Sequence, residues 1–429
     1  MKLVIQGGRV IDPANKIDQQ ADLYLQDGKV AALGQAPEGF EADQVLDASG
    51  QIVVPGLIDL CAHVREPGYT QKGTIASETR AAAAGGITTL VTPPNSKPIV
   101  DTPAVVELII DRAEAAGNAR VLPMGALTQG LKGEQLAPLH ALHSSGCVAF
   151  TNTREPVTSS LTLMRSLEYA ATHDLLVQFQ PQDESLTGKG CMHEDTTSSL
   201  LGLDGIPEAA ETVEVARCLL LVEQAGVRAH FGQLTCERSV KMIQGSRERG
   251  LPVTCDVAIH HFFLTDENVA GFDSNFHVMP PLRSQLDRAG LRQALLAGDI
   301  QAICSDHQPH EAAAKQAPFA ATEPGIIGLE TLLPLALLLV EQGMIDLPQV
   351  IDRLTSGPAK ILGQSHIGNL SVGSAADVCV FDPEAVWALT DDNCQSAGRN
   401  TPFIGFELKG QVMATVFGGE VVYQRAEQS

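Results

Sequence analysis

Basic residues are in short supply in this 429-residue chain: Lys and Arg total 29 against 51 Asp and Glu, a formal net charge of −22. Binding polyanions needs concentrated positive charge, so this balance argues against a nucleic-acid or anionic-lipid surface. Long apolar runs are also missing. A membrane helix needs about 20 apolar residues in a row, and the strongest stretch, Leu332 to Val340, is closed off by Glu330 and Glu341 and reads as a core helix. The opening Met-Lys-Leu-Val-Ile-Gln-Gly-Gly reaches two glycines too early for the apolar centre of a signal peptide. The nine cysteines contain no Cys-x-x-Cys pair and are odd in number, which fits reduced thiols in a cytoplasm better than a disulfide framework. Internal repeats and low-complexity tracts are absent too.

What is present is an ordinary globular composition, 44% hydrophobic and 19% charged, which excludes wholesale disorder. At about 100–200 residues per domain, the length suits two or three domains, or one large barrel with an appendage. Both ends read as short strands set off by Gly, Pro or Asp-Gly: Lys2–Gln6, Ala21–Leu25, Val30–Leu33 and Gln44–Asp47, then Asp377–Phe381, Gln411–Phe417 and Glu420–Tyr423. The middle alternates. Strand candidates are Ile52–Val64, Thr88–Thr92, Arg120–Ala126, Cys147–Thr151, Leu175–Gln180, Arg228–Leu234, Pro252–Ala258 and Gln301–Ser305. Helical periodicity falls between or after them at Ile75–Ala84, Ala104–Ala116, Ala209–Gln224, Leu291–Ala297, Leu329–Gln342 and Pro348–Ile361. Eight strands alternating with helices predict an α/β fold, a (β/α)8 barrel over 52–364. Residues 1–51 and 365–429 are then expected to pair into a small β-sandwich.

Reactive groups of such a barrel sit at the C-terminal ends of its strands. The first strand ends in Asp59-Leu60-Cys61-Ala62-His63-Val64-Arg65-Glu66-Pro67-Gly68, with Cys61 and His63 on one side of an extended chain. The eighth ends in Cys304-Ser305-Asp306-His307-Gln308-Pro309-His310. With these stand Pro55-Gly56-Leu57-Ile58-Asp59, Ala84-Gly85-Gly86-Ile87-Thr88-Thr89, Pro94-Asn95, His260-His261, Pro280-Pro281-Leu282-Arg283, Gly325-Ile326-Ile327-Gly328-Leu329-Glu330-Thr331 and Arg399-Asn400-Thr401-Pro402-Phe403. In this ordered set the chain resembles the dihydroorotases of the amidohydrolase superfamily, the long bacterial type, over almost its whole length.

The resemblance implies a zinc site whose ligands come from the strand ends, and here most are replaced. The family's first-strand His-x-His is Cys61 and His63; its fourth-strand Asp or carboxylated Lys falls on Asn152. The fifth-strand His falls on Gln180 and the second His of the sixth-strand His-x-x-His on Gln233, while the catalytic Asp persists as Asp306. Zinc is held by thiolate, imidazole and carboxylate donors, at least three of them in a catalytic site. A glutamine carbonyl is a weak, neutral donor suited to harder cations. Without the metal, water keeps its ordinary pKa and the amide carbonyl has no Lewis acid. The expectation is therefore no zinc and no catalytic residue, with Asp306 a relic whose charge pairs with Arg65 or a neighbouring His. Of the substrate contacts implied by the resemblance, Arg65, Asn95 and His310 persist as a vestigial carboxylate site, whereas Met279 stands where relatives carry a substrate-contacting Asn. His260 and His261 read as structural, His307 as polar lining. His140, His143, His173, His193 and His366 carry no signal.

Dihydroorotase-like chains that have lost activity associate in some bacteria with aspartate carbamoyltransferase. The resemblance thus implies a non-catalytic assembly subunit of that enzyme in pyrimidine synthesis, itself a homodimer. Two alternatives stand beside it: an active cyclic amidohydrolase with one zinc on Cys61, His63 and Asp306, and a small-carboxylate sensor built on Arg65, Asn95 and His310.

Overall fold

The computed structural model describes residues 1–425. Strand Lys2–Asp12 is the centre of a terminal sheet, longer than the expected Lys2–Gln6 because a bulge between Ile5 and Gly8 lets it continue past Gly7. It pairs antiparallel with Ile17–Gln26 and parallel with Gln44–Asp47 and Ile52–Pro55. Ile52–Pro55 in turn pairs antiparallel with Val378–Ala388, which continues to Glu407–Phe417 and Glu420–Gln424. The two chain ends therefore share one eight-stranded sheet. It curls over its own core of Leu3, Ile5, Leu23, Val53, Val378 and Ala414, and a bridge from Lys29 to Ala375 ties its two halves.

The sheet reaches Pro55 rather than stopping at residue 51, so the expected strand Ile52–Val64 is two strands in two different sheets. Gly56 divides them: a Cβ there would stand 2.1 Å from the Thr88 hydroxyl. Only glycine lets the chain pass so close to its neighbour.

Parallel strands then follow in sequence order: Leu57–Asp59, Ile87–Thr92, Arg120–Pro123 continued by Gly125–Ala126, Phe150–Thr151, Val177–Phe179, Ala229–Phe231, Val253–Ala258 and Ala302–Cys304. The first and last positions meet through a parallel bridge from Ala62 to His307. Eight strand positions thus run in a parallel cycle, with helices between them. Ile75–Ala84 is capped by Thr74 and Ser77, and Gln285–Ala297 starts earlier than periodicity suggested because Ser284 accepts from the Asp287 amide. The expected helix Pro348–Ile361 breaks at Thr355 into Leu347–Leu354 and Ser356–Leu362. Pro358 is the cause, since a proline ring in a continuous helix would clash with the carbonyl four residues back, that of Leu354. No described helix is long and apolar enough to cross a membrane.

Candidate active site at the barrel mouth

The ends of the first and eighth strands are stitched together. Asp59 is buried and accepts from the amides of Ser305 (2.9 Å) and Cys61 (3.3 Å) and from the Ser305 hydroxyl. The His63 amide donates to the His307 carbonyl at 2.8 Å. This places Cys61, His63 and Asp306 side by side, with their ligand atoms within 4.8 Å of one another, the one group of three such donors among the described residues. The Cys61 thiol donates to Asp306 Oδ1 at 3.6 Å, and Gln308 Nε2 donates to the same oxygen at 3.1 Å. Asp306 therefore bonds to a thiol and an amide, not to Arg65 or a histidine as the sequence suggested. Arg65 instead donates to the Pro309 carbonyl at 3.1 Å and lies 3.1 Å from His310 Nε2.

Burial sets the electrostatics of this cluster. Desolvation lifts Asp306 to about 6 against the opposing charge of Arg154, and lifts the Cys61 thiol well above its usual range, with the Asp306 charge adding to the effect. His63 is pushed well below the usual imidazole range by burial and by Arg65, and its Nε2 has no hydrogen-bond partner.

Across the mouth, Gln180 Nε2 donates to Gln233 Oε1 at 2.6 Å and reaches toward Cys61 Sγ at 3.9 Å. Arg154 Nη2 donates to the same Gln233 oxygen at 3.1 Å. The result is a continuous polar chain, Arg154–Gln233–Gln180–Cys61–Asp306–Gln308, through the loops that follow the fourth, sixth, fifth, first and eighth strands. Asn152 is not part of it. Its Oδ1 accepts from the Thr128 hydroxyl at 2.6 Å, and its Nδ2 donates to the carbonyls of Leu131 and Glu155, each at 3.1 Å.

The full zinc ligand set that the resemblance implies is not offered by these residues. The two glutamine side chains engage each other, Asn152 turns to backbone carbonyls, and a protonated thiol replaces one imidazole. Space is short as well. The cavity beside Gln180 and Arg154 holds about 40 Å³, and the one between His63, Arg65 and Asn95 about 10 Å³. Small-molecule sites span roughly 300–1,000 Å³. Of the expected carboxylate contacts, Arg65 and His310 are brought together, whereas Asn95 is exposed and edges both this cavity and a wider cleft outside.

Several buried or half-buried polar residues escaped the sequence reading. Arg154 lies in a loop without periodicity or motif. Asp256 accepts from the Gln233 amide at 2.6 Å and meets His230 Nε2 at 2.9 Å, fixing the sixth strand's end. Glu78 accepts from His307 Nε2 at 2.8 Å and from the Ser396 hydroxyl at 2.7 Å. His307 is thus a structural tie rather than pocket lining. His193, set aside from sequence, is buried and accepts from Arg283 at 3.1 Å. His260 and His261 are buried, as a structural reading requires.

Comparison with known proteins identifies the family and the fold. A family model described as Dihydro-orotase-like matches residues 50–239, and one described as Amidohydrolase family matches 329–423. A dihydroorotase-like protein of Pseudomonas aeruginosa is 54% identical over 424 residues, covering 99% of this chain and 100% of that protein. A dihydroorotase of Geobacter metallireducens is 44% identical over 425 residues, with 99% and 100% covered. Among solved structures, L-hydantoinase (dihydropyrimidinase) from Arthrobacter aurescens superposes with a TM-score of 0.88 at 24% identity, over 99% of this chain and 96% of that one. Dihydropyrimidinase from Brevibacillus agri gives 0.83 at 22%, over 99% and 95%. The structural likenesses speak for the fold, a TIM-type barrel with a β-sandwich; the full-length sequence relatives go further, and by them the chain belongs to the dihydroorotase-like family of the amidohydrolase superfamily.

Proposed function

We propose that this member of the family is catalytically inactive, holds no catalytic zinc, and serves as a non-catalytic assembly subunit of aspartate carbamoyltransferase. The observation that carries the loss of activity is the Gln180–Gln233 hydrogen bond of 2.6 Å, at the two strand ends where the family resemblance calls for imidazoles. A neutral amide pair cannot lower the pKa of a water or polarise a ring carbonyl as a bound metal does. The small cavities around it support the same reading. The partner is taken from the resemblance alone, as is a homodimeric state. Nine buried free thiols favour a cytoplasmic setting, and the acidic surface favours neither nucleic acid nor membrane as partner.

Coexpression with aspartate carbamoyltransferase followed by size-exclusion chromatography tests the partner. Co-elution at micromolar concentration is expected, and separate elution counts against it. A second reading is favoured by one observation, the clustering of Cys61, His63 and Asp306 within 4.8 Å: a mononuclear cyclic amidohydrolase. Stoichiometric zinc after chelator-free purification, together with turnover of dihydroorotate or a hydantoin, would establish that reading and end the first.

A further inference from the structure

Just outside the closed mouth, the same loops surround a second hollow of about 640 Å³, within the range typical of small-molecule sites. Tyr69, Asn95, Ser96, Lys97, Lys132 and Glu155 are among its lining residues. In a chain of net charge −22, two lysines here face one carboxylate. The lysine ion pairs among the described residues involve Lys72, Lys241, Lys360 and Lys409, so Lys97 and Lys132 are free of such pairing. The Ser96 hydroxyl is committed to the Pro98 carbonyl at 2.8 Å, leaving the exposed Asn95 amide and the Tyr69 hydroxyl as the neutral polar groups available to a ligand.

The walls are fixed before any ligand arrives. The Lys97 amide donates to the Pro67 carbonyl at 3.0 Å, and the Gly130 amide to Asp101 Oδ2 at 2.9 Å. Gly68, at φ 100°, passes so close that a Cβ would stand 2.3 Å from the Lys97 carbonyl oxygen. Asn152 braces the remaining side by holding Leu131 and Glu155 through their carbonyls. A preformed cleft spares a ligand the cost of ordering loops.

We propose that this outer cleft binds a small dianion, a phosphate monoester or a dicarboxylate. Lys97 and Lys132 each pair with one of its charges, the Asn95 amide donates a hydrogen bond, and the Tyr69 ring covers its carbon skeleton. A dianion is called for because Lys97 and Lys132 supply one ammonium partner for each of its two charges, with Glu155 the one opposing charge in the cleft. The site is independent of the enzymatic status of the barrel centre, and it shares only Asn95 with the trap on Arg65, Asn95 and His310, in which Arg65 and His310 are closed onto each other.

Isothermal calorimetry with the full chain, using inorganic phosphate and malonate at ionic strength matched with sodium chloride, tests this. One-to-one saturable binding of at least one dianion is expected, with acetate inert. The stronger of the two probes assigns the ligand to the phosphate or the dicarboxylate class. Lys97→Ala and Lys132→Ala should each weaken binding about tenfold, the scale of one hydrogen bond to a charged group. Glu155→Gln should tighten it, a gain that damage to the fold cannot produce. Lys189→Ala, an exposed lysine elsewhere, should leave it unchanged. No saturable heat from either dianion at about 10 mM, where even a millimolar site would be filled, overturns the proposal, as does an equal loss in Lys189→Ala.

Discussion

Gln180 and Gln233 are each other's hydrogen-bond partners at the barrel mouth, amide to amide at 2.6 Å, and both are buried. A buried amide group without a partner costs roughly 1–3 kcal/mol; the bond satisfies Gln180 Nε2 and Gln233 Oε1 in the space where family members would place two imidazoles, while Gln233 Nε2 is buried without a partner. Gln233 also receives the Arg154 guanidinium, which brings a fixed positive charge to a pocket that contains buried Asp306.

The double substitution Gln180→His, Gln233→His should therefore have two effects. With chelator present, the protein should melt below the wild type, because the amide pair and the Arg154 acceptor are lost together. With zinc, its melting temperature should rise by mass action on the folded state, since two imidazoles join the thiol, imidazole and carboxylate already clustered. Wild type should show no zinc-dependent rise. An equal rise in both proteins would place the ion on Cys61, His63 and Asp306 alone.

Asn152→Asp tests what the fourth strand's end now does. The Asn152 amide nitrogen donates to two carbonyls, and a carboxylate can only accept. Substitution leaves both carbonyls facing a buried negative charge, at a cost of about 3 kcal/mol. Asn152→Ala should cost less at neutral pH. Burial raises a carboxyl's pKa, so the gap between the two variants should narrow as the solution is acidified and the aspartic acid regains a proton to donate. Urea denaturation of both variants across that range measures it.

These residues also mark how far the sequence could be read. Motif order assigns Cys61, His63, Asp306, Gln180 and Gln233 to strand ends, and the parallel cycle of strands brings all five together. It does not determine rotamers. Asn152 occupies the expected strand end yet turns away, because a side chain that can donate is drawn to the Leu131 and Glu155 carbonyls. Asn95 sits in its expected motif but is exposed, at the edge of both the inner cavity and the outer cleft. Arg154 belongs to an irregular loop, and its reach to Gln233 depends on tertiary packing that no local period encodes. The apolar run from Ile52 likewise hides where the chain leaves one sheet for another, because both halves are buried.

Glu78→Gln should be costly although no ligand is involved. The Glu78 carboxylate joins His307 on the eighth strand's end to Ser396 and the Ala397 amide of the C-terminal segment. The His307 Nδ1 accepts from the Gly328 amide at 3.1 Å, so its Nε2 is the donor to Glu78. A neutral glutamine keeps one acceptor oxygen but presents an NH2 to the other donors. A loss of about 2–3 kcal/mol is expected, and Glu78→Ala should lose more by stranding the imidazole. Hydrogen exchange should show the loosening at residues 396–400 as well as at His307.

Acid sensitivity follows from the paired imidazoles of His260 and His261, whose ring centres lie 4.4 Å apart in the core. Each Nε2 lacks a partner. Burial pushes His260 down to about 3, and burial, His260 and Arg283 push His261 well below the usual range. The unfolded chain takes up these protons near pH 6.5, while the folded chain cannot. Their stabilising effect is thus complete above about pH 6.5 and is lost as the pH falls, by about 1.4 kcal/mol per pH unit for each group. His260→Gln removes one titrating site. Between about pH 7 and pH 5 the wild type should therefore lose roughly 2 kcal/mol more than this variant, read from urea midpoints at the two pH values. Parallel losses would mean that His260 is protonated in the folded protein, in contact with water or an acceptor that the buried geometry does not provide.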